Sequence, residues 1–177
     1  MTRSGDWIQT YTGAQFWPMD PRPYEIRITD IAHALSMQCR FAGHCTRFYS
    51  VAEHCVHLAR SVSPENALWA LLHDASEAYL VDVPKPVKPY LAGYVEAEER
   101  LMRDIAERFG LPPSMPDEVK DADRRILTDE ADQNMAYCFT RWTDMPPPLG
   151  VTLELWTPRE AESRFLETYF ELVEVEA

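Results

Sequence analysis

Helix start and stop signals divide most of this chain into helix-length segments, and they constrain its fold more than any other feature. Ser50 and Glu53 form a capping box, in which a serine and a glutamate three residues apart satisfy free N–H groups at a helix start. Ser63 followed by Pro64 begins another helix, and Gly110 before a proline-rich stretch ends a further one. The sequence therefore predicts a mainly α fold in which helix packs on helix.

Apolar periodicity gives the approximate bounds of each element. We expect helices at about residues 28–38, 51–62, 64–80, 94–109 and 117–139, and a terminal helix from 158. Before them, two short runs flank Gly13 and predict a small hairpin or an extended arm. The segment MPPPLGVTLELW predicts a linker with one short strand. We expect a single domain over residues 1–177, with an arm (1–27), a helical core (28–139), and a linker with the C-terminal helix (140–177).

The acidic composition limits the class of partner. A net charge of −12 argues against a nucleic-acid polymer or an anionic membrane surface. A small phosphate ligand stays compatible, because a bound cation can reverse the local charge. No run approaches the length of a membrane span, and the N-terminus has no signal-peptide core. The four cysteines form no CxxC pair, so we expect reduced thiols and a cytoplasmic protein.

The stretch LLHDASEAYL carries His73, Asp74 and Glu77 inside an otherwise apolar run. On a helix these three residues fall within an arc of roughly 100°. Burying them is costly unless a partner satisfies their polar atoms. Two interpretations follow, a local hydrogen-bonded cluster at a helix end or a metal site with an acid beside it.

Two further polar residues fall on the apolar faces of predicted helices. His54 flanks the stripe of the helix at 51–62, whereas His57 points away and is expected in solvent. Asp123 lies inside the stripe of the helix at 117–139, which also contains Glu130, and Asp121 faces the opposite way. An aspartate among apolar residues is unfavourable unless it is paired or binds a metal.

His54, His73, Asp74 and Asp123 together form a candidate ligand set for one divalent ion, of Mn, Co, Zn, Fe or Mg. Such a site can lower the pKa of water and polarise a phosphoryl oxygen. Glu77, about one helical turn beyond His73, would then act as an acid or base rather than as a ligand.

The ordered motifs SVAEH, LLHDASEAYLVDVPKPVK and VKDADRRIL resemble those of the HD-domain metal-dependent phosphohydrolases, over about residues 28–135. Within that superfamily the chain looks most like bacterial 5′-deoxynucleotidases and phage enzymes that release triphosphate from dATP. The resemblance implies an HD-domain helical bundle with metal ligands at His54, His73, Asp74 and Asp123.

The same resemblance implies roles for residues around the metal. Glu77 corresponds to the catalytic glutamate and Asp82 to the aspartate that recognises the sugar. Arg40 and Phe41 match an Arg–aromatic pair that contacts phosphate and base, with Phe where the family has Trp. The remaining candidates for phosphate contact are His44, Lys85 and Lys88, and the two lysines fit solvated loop residues equally well.

HD proteins with two metals need further histidines after the His-Asp pair, and none follows His73 here, so the resemblance implies one metal ion. We therefore expect a 5′-deoxynucleotidase that hydrolyses deoxynucleoside 5′-monophosphates to deoxynucleoside and phosphate with a metal-activated water. The alternative is a dATP triphosphohydrolase that releases deoxynucleoside and triphosphate. A non-catalytic nucleotide-binding protein is less favoured, because Glu77 and all four ligands are intact, and a metal-stabilised structural protein is less favoured, because it needs neither Glu77 nor Asp82. The implied partners are a small deoxynucleotide and other copies of the chain, in a dimer or larger homo-oligomer.

Overall fold

A computed structural model describes residues 3–140 and 142–175 as a helical bundle with a two-stranded hairpin at its N-terminus. The prediction of a mainly α fold with an N-terminal hairpin is confirmed. In chain order the elements are β1 (Ile8–Gln9), β2 (Gln15–Phe16), α1 (Ile28–Met37), α2 (Val51–Ala59), α3 (Pro64–Leu72), α4 (Glu77–Leu80), α5 (Tyr94–Phe109), α6 (Asp117–Asn134) and α7 (Pro158–Val175). In the described part of the chain no helix is both long and apolar enough to cross a bilayer.

The hairpin is fastened to the bundle by aromatic contacts. β1 and β2 pair antiparallel, and Gly13 in the turn between them has a φ of +78°, which a residue without Cβ adopts freely. Phe16 is fully buried, with its ring 4.0 Å from that of Tyr79. Tyr11 stacks on His33, with ring centroids 3.7 Å apart. The hairpin therefore packs against α1 and α4 rather than extending as a free arm.

Helix α2 lies at the centre of the bundle. It contacts α1, α3, α6 and α7, and every one of its residues is buried. The Ser50 half of the predicted capping box forms, because the Ser50 hydroxyl accepts a hydrogen bond from the Glu53 N–H, whereas the Glu53 carboxylate turns to the linker before α7. The expectation that His57 lies in solvent is wrong. The linker before α7 covers that face, and His57 stacks on Trp156 with ring centroids 5.4 Å apart.

Acidic and amide side chains hold the linker before α7 in place. The Glu53 carboxylate accepts hydrogen bonds from the N–H groups of residues 154, 155 and 156 at 2.6–2.9 Å. Asp129 accepts from the N–H groups of Leu149 and Gly150, and Gln133 accepts from that of Leu153. The expected short strand does not form among the described residues of this linker. Side chains of α2 and α6 supply the partners that a neighbouring strand would otherwise provide.

Several helices are shorter than their periodicity predicts. The helix expected at 64–80 is broken into α3 and α4 by tight turns at residues 73–76, with Ala75 N–H bonded to Leu72 O and Glu77 N–H to Asp74 O. Helix α2 ends at Ala59 rather than near residue 62, and α6 ends at Asn134 rather than near 139. At the end of α6 the Asn134 side chain bonds the backbone of Arg47.

Candidate metal centre

The four predicted ligands converge between α2, the turn that joins α3 to α4, and α6. Nε2 of His54 lies 3.2 Å from Nε2 of His73. Oδ1 of Asp123 lies 3.3 Å and 3.6 Å from these two nitrogens, and Oδ2 of Asp74 lies 3.7 Å and 3.3 Å from them. With ligand bonds of about 2.1 Å, adjacent donors around one ion lie roughly 3.0–3.4 Å apart. His54, His73 and Asp123 are therefore positioned to hold a metal ion, with Asp74 beside them.

Both histidines present the same ring nitrogen to this group. The other nitrogen of His73, Nδ1, donates to the carbonyl oxygen of Ala70 at 2.8 Å. Nδ1 of His54 lies 2.7 Å from Oε1 of Glu130. Because the Nδ1 atoms are committed to these acceptors, both Nε2 atoms are left as the ligand atoms.

In the metal-free protein, the charges around these ligands outweigh the effect of burial on their pKa values. Burial disfavours the charged form of His73, yet the neighbouring Asp74 carboxylate keeps its pKa well above the ordinary value. Burial and the Arg40 guanidinium both disfavour protonated His54, but Glu130 and Asp123 outweigh them and its pKa is raised. Burial alone would raise the pKa of Asp74, whereas the His73 imidazole lowers it to about 2. A cation thus suits this group, because the surrounding carboxylates raise the pKa values of both histidines against the effect of burial.

The group opens to solvent on one side. The side chains of His54 and His73 are at most 2% exposed, whereas that of Asp123 is 46% exposed. Asp121, two residues earlier on α6, is exposed and pairs with Arg124, as its position in the sequence predicts. Small molecules can therefore reach the ligands from the Asp123 side.

Glu77 and Asp82 lie at the two ends of α4, and Gln38 holds both ends. Nε2 of Gln38 donates to the Glu77 carbonyl oxygen, and Oε1 of Gln38 accepts from the Asp82 N–H, both at 3.0 Å. The Glu77 carboxyl is buried, and its Oε2 has no hydrogen-bond partner among the described residues. Burial, with the Asp74 and Asp82 carboxylates nearby, raises the pKa of Glu77 to about 9. Burial also raises the pKa of Asp82 above its ordinary value.

Arg40 is brought to the same group. Its Nη1 lies 3.6 Å from Oδ2 of Asp74 and its Nη2 lies 3.0 Å from Oε2 of Glu130, with the side chain only 13% exposed. Phe41 follows it with a φ of 56°, and the Phe41 ring lies 6.2 Å from that of Trp142. The structure thus places a cation beside the candidate metal ligands, with its guanidinium carbon 5.6 Å from the centre of the Phe41 ring.

Sequence reasoning missed Glu130, which is fully buried against both His54 and Arg40. A signal was present, because a glutamate in the apolar stripe of α6 needs a partner for the same reason that Asp123 does.

The remaining candidates lie apart from these contacts. His44 and Lys85 are exposed, and neither side chain has a hydrogen bond or an ion pair within residues 3–140 and 142–175. Lys88 pairs with Glu98 at 2.7 Å. Cys39 and Cys45, on either side of Arg40, are free thiols with sulfurs 3.3 Å apart. Of the predicted phosphate contacts, Arg40 is therefore the one that the structure places against a metal ligand.

Two other features do not compete with this group. The Cys55 sulfur lies 4.0 Å from Nδ1 of His73, the nitrogen already bonded to Ala70, and burial raises the pKa of the thiol to about 11. A mainly apolar cavity of about 440 Å³ lies between the end of α6 and the linker, and none of the four ligands lines it. The histidine and aspartate group is therefore the candidate metal centre.

No family model matches this chain. The chain is 46% identical over 123 residues to the uncharacterized protein YfdR of Escherichia coli K12. The aligned residues cover 70% of this chain and 69% of YfdR. It is 34% identical over 179 residues to the uncharacterized protein RCAP_rcc00048 of Rhodobacter capsulatus, which covers 90% of the chain and 91% of that protein.

Proposed function

This chain belongs to one family with YfdR and RCAP_rcc00048, and we propose that it is a metal-dependent nucleotide phosphohydrolase. The preferred reaction is hydrolysis of a deoxynucleoside 5′-monophosphate to deoxynucleoside and phosphate. The observation that carries the proposal is the convergence of His54, His73, Asp74 and Asp123 next to a buried carboxyl and a buried guanidinium.

His54, His73, Asp74 and Asp123 would hold the ion. A divalent ion there supplies a Lewis acid for the phosphoryl oxygen and lowers the pKa of water. Arg40 adds a fixed positive charge on the same side, which an otherwise acidic chain needs in order to attract phosphate. Phe41 and Trp142 offer ring faces beside it for a nucleobase.

Glu77 has the properties of an acid that serves the leaving group. In the metal-free protein burial raises the pKa of the Glu77 carboxyl to about 9, which favours its protonated form, and its Oε2 has no hydrogen-bond partner among the described residues. When water attacks phosphorus and the bond to the 5′-oxygen breaks, that oxygen needs a proton, which Glu77 can donate. One proton of the attacking water then restores the carboxyl.

Two features speak for catalysis over a sensor or a structural metal site. A structural site encloses its ion, whereas Asp123 is half exposed here. A protein that only binds nucleotide has no need of a buried, protonated glutamate beside the ligands. We also propose that the chain forms a dimer or larger homo-oligomer and that its ligand is a small deoxynucleotide.

A turnover assay tests the proposal. Purified protein is stripped with chelator, reloaded with Mn²⁺ or Co²⁺, and incubated with dAMP, AMP, dATP and ATP. Orthophosphate from dAMP, dependent on metal and lost in Asp123→Ala, supports the 5′-deoxynucleotidase. Inorganic triphosphate from dATP would assign the triphosphohydrolase instead. Metal binding without turnover of any of these nucleotides would refute the proposal.

A further inference from the structure

Helix α6 holds the His54 ring at both of its nitrogens. Asp123 and Glu130 are seven residues apart, about two helical turns, and so project from the same face of α6. Oδ1 of Asp123 lies 3.3 Å from Nε2 of His54, and Oε1 of Glu130 lies 2.7 Å from Nδ1. The ring is thus fixed between two carboxylates of one helix.

The second oxygen of Glu130 has a separate partner. Oε2 accepts a hydrogen bond from Nη2 of Arg40 at 3.0 Å. Glu130 is 0% exposed, and an isolated carboxylate in that position would be strongly unfavourable. The Arg40 charge, followed by the His54 imidazole, lowers the pKa of Glu130 below its ordinary value against the effect of burial. Each oxygen therefore has its own donor, from a different segment of the chain.

We infer that Glu130 is a positioning residue that joins the metal ligand His54 to the cation Arg40, so that one buried carboxylate sets both metal affinity and phosphate affinity. Through Oε1 it keeps the His54 proton on Nδ1 and leaves Nε2 free to bind metal. Through Oε2 it holds the Arg40 guanidinium, whose Nε lacks a partner among the described residues and whose other anchor, Asp74, lies at 3.6 Å.

Because His54 and Arg40 share the Glu130 carboxylate, metal binding and phosphate binding are coupled. If Arg40 moves toward a phosphate, the carboxylate of Glu130 is left to His54 alone, and the basicity of the ligand nitrogen changes. Binding of metal and binding of phosphate should therefore affect each other through Glu130. The phosphate half of this inference rests on the proposed function, whereas the metal half does not.

The first test measures Co²⁺ binding without any substrate, by calorimetry and by the visible absorption of the bound ion. Glu130→Gln keeps the shape of the side chain but removes its charge, and we expect Co²⁺ affinity to fall about ten- to 100-fold with a changed absorption spectrum. Glu53→Gln is the matched control, since Glu53 is equally buried on α2 but contacts the linker and His57. It should lower thermal stability and leave Co²⁺ affinity within about twofold.

The second test is a double-mutant cycle. Arg40→Met should change Co²⁺ affinity in the wild-type background and have a smaller effect when Glu130 is already Gln. If Glu130→Gln does not fold, Glu130→Asp takes its place, because it keeps the charge but is one methylene too short to reach both partners. In dAMP hydrolysis at saturating Co²⁺, Glu130→Gln should raise KM more than it lowers kcat.

Equal Co²⁺ affinity in wild type and folded Glu130 variants, or additive effects of the Arg40 and Glu130 changes, would overturn the inference while leaving the proposed function intact. Normal Co²⁺ coupling in a protein that hydrolyses no nucleotide would refute the proposed function and retain Glu130 as the residue that positions His54.

Discussion

Glu53 and His54 are consecutive residues of α2, yet their side chains join two different parts of the molecule to that helix. Glu53 accepts three backbone N–H groups of the linker, and His54 reaches His73 on one side and Glu130 on the other. Both side chains are fully buried. The residue that anchors the linker and the residue that contributes to the candidate metal centre are therefore direct neighbours on the central helix.

Removal of Asp123 should remove the metal. We expect Asp123→Ala to retain little Mn²⁺ or Co²⁺ after gel filtration, because the two histidines and Asp74 would lose their solvent-facing partner. Metal content by elemental analysis measures this. Asp121→Ala is the matched control on the same helix and should keep wild-type metal content. An Asp123→Ala protein with a full complement of metal would rule out the four-ligand site.

Glu77 should act in turnover and not in metal binding. Glu77→Gln should keep wild-type Co²⁺ affinity and lower kcat about 100-fold or more, because the amide cannot donate the proton of a carboxylic acid. Calorimetry and a phosphate-release assay give the two readouts. Unchanged kcat would show that the buried carboxyl has no part in the reaction.

Glu77 also predicts a pH effect on the stability of the metal-free protein. Its pKa is about 9 when folded against an ordinary 4.5, so between these values the folded state binds the proton that the unfolded state has released. The contribution of this group to the free energy of unfolding therefore falls as pH rises from about 5 to 9. In chelator, the Tm of Glu77→Gln should rise relative to wild type as the pH increases. A difference in Tm that stays constant with pH would contradict the raised pKa.

Asp82 should determine the preference between deoxyribose and ribose nucleotides. A carboxylate at the end of α4, partly buried and held by Gln38, can accept a hydrogen bond from the 3′-hydroxyl and leave little room for a 2′-hydroxyl. We expect wild type to prefer dAMP over AMP in kcat/KM, and Asp82→Ala to reduce that preference. Equal rates on the two nucleotides in wild type would refute this role.

Glu53 should be important for stability. Glu53→Ala leaves three linker N–H groups without their acceptor, and we expect a loss of about 3 kcal/mol in the free energy of unfolding, measured by urea denaturation of the metal-free protein. Glu118→Ala is the control, since Glu118 also accepts three hydrogen bonds but at the exposed surface near Ser63. A loss no larger than that of the control would show that the linker is held by other contacts.

Local signals predicted the helices well, because caps, prolines and apolar stripes act within a few residues. Ser50, Ser63 and Gly110 mark true helix ends in the structure. The break at residues 73–76 was not predictable from periodicity, since both α3 and α4 continue the same apolar pattern. Convergence of the predicted ligands could be anticipated only because His54, His73 and Asp123 each carry polarity on an apolar face.

The sequence could not show which helix faces pack against a further segment of the chain. The single apolar stripe of α2 predicts that His57 faces solvent, but the linker packs over that face of the helix. Glu130 falls within the apolar stripe of α6, whereas its partners His54 and Arg40 lie 76 and 90 residues away in the sequence. Contacts of such separation leave no periodic trace in the chain.

The last helix also determines when the protein can finish folding during synthesis. Helix α7 packs against α1, α2 and α3, with Ala161 and Phe165 fully buried in the core. Until residues 158–175 have left the ribosome, the apolar faces that α7 covers on those three helices stay exposed. Contacts of α7 with α1 close a loop of more than 100 residues, and they cannot form before then. A nascent chain of this protein should therefore remain exposed to chaperones until α7 has emerged.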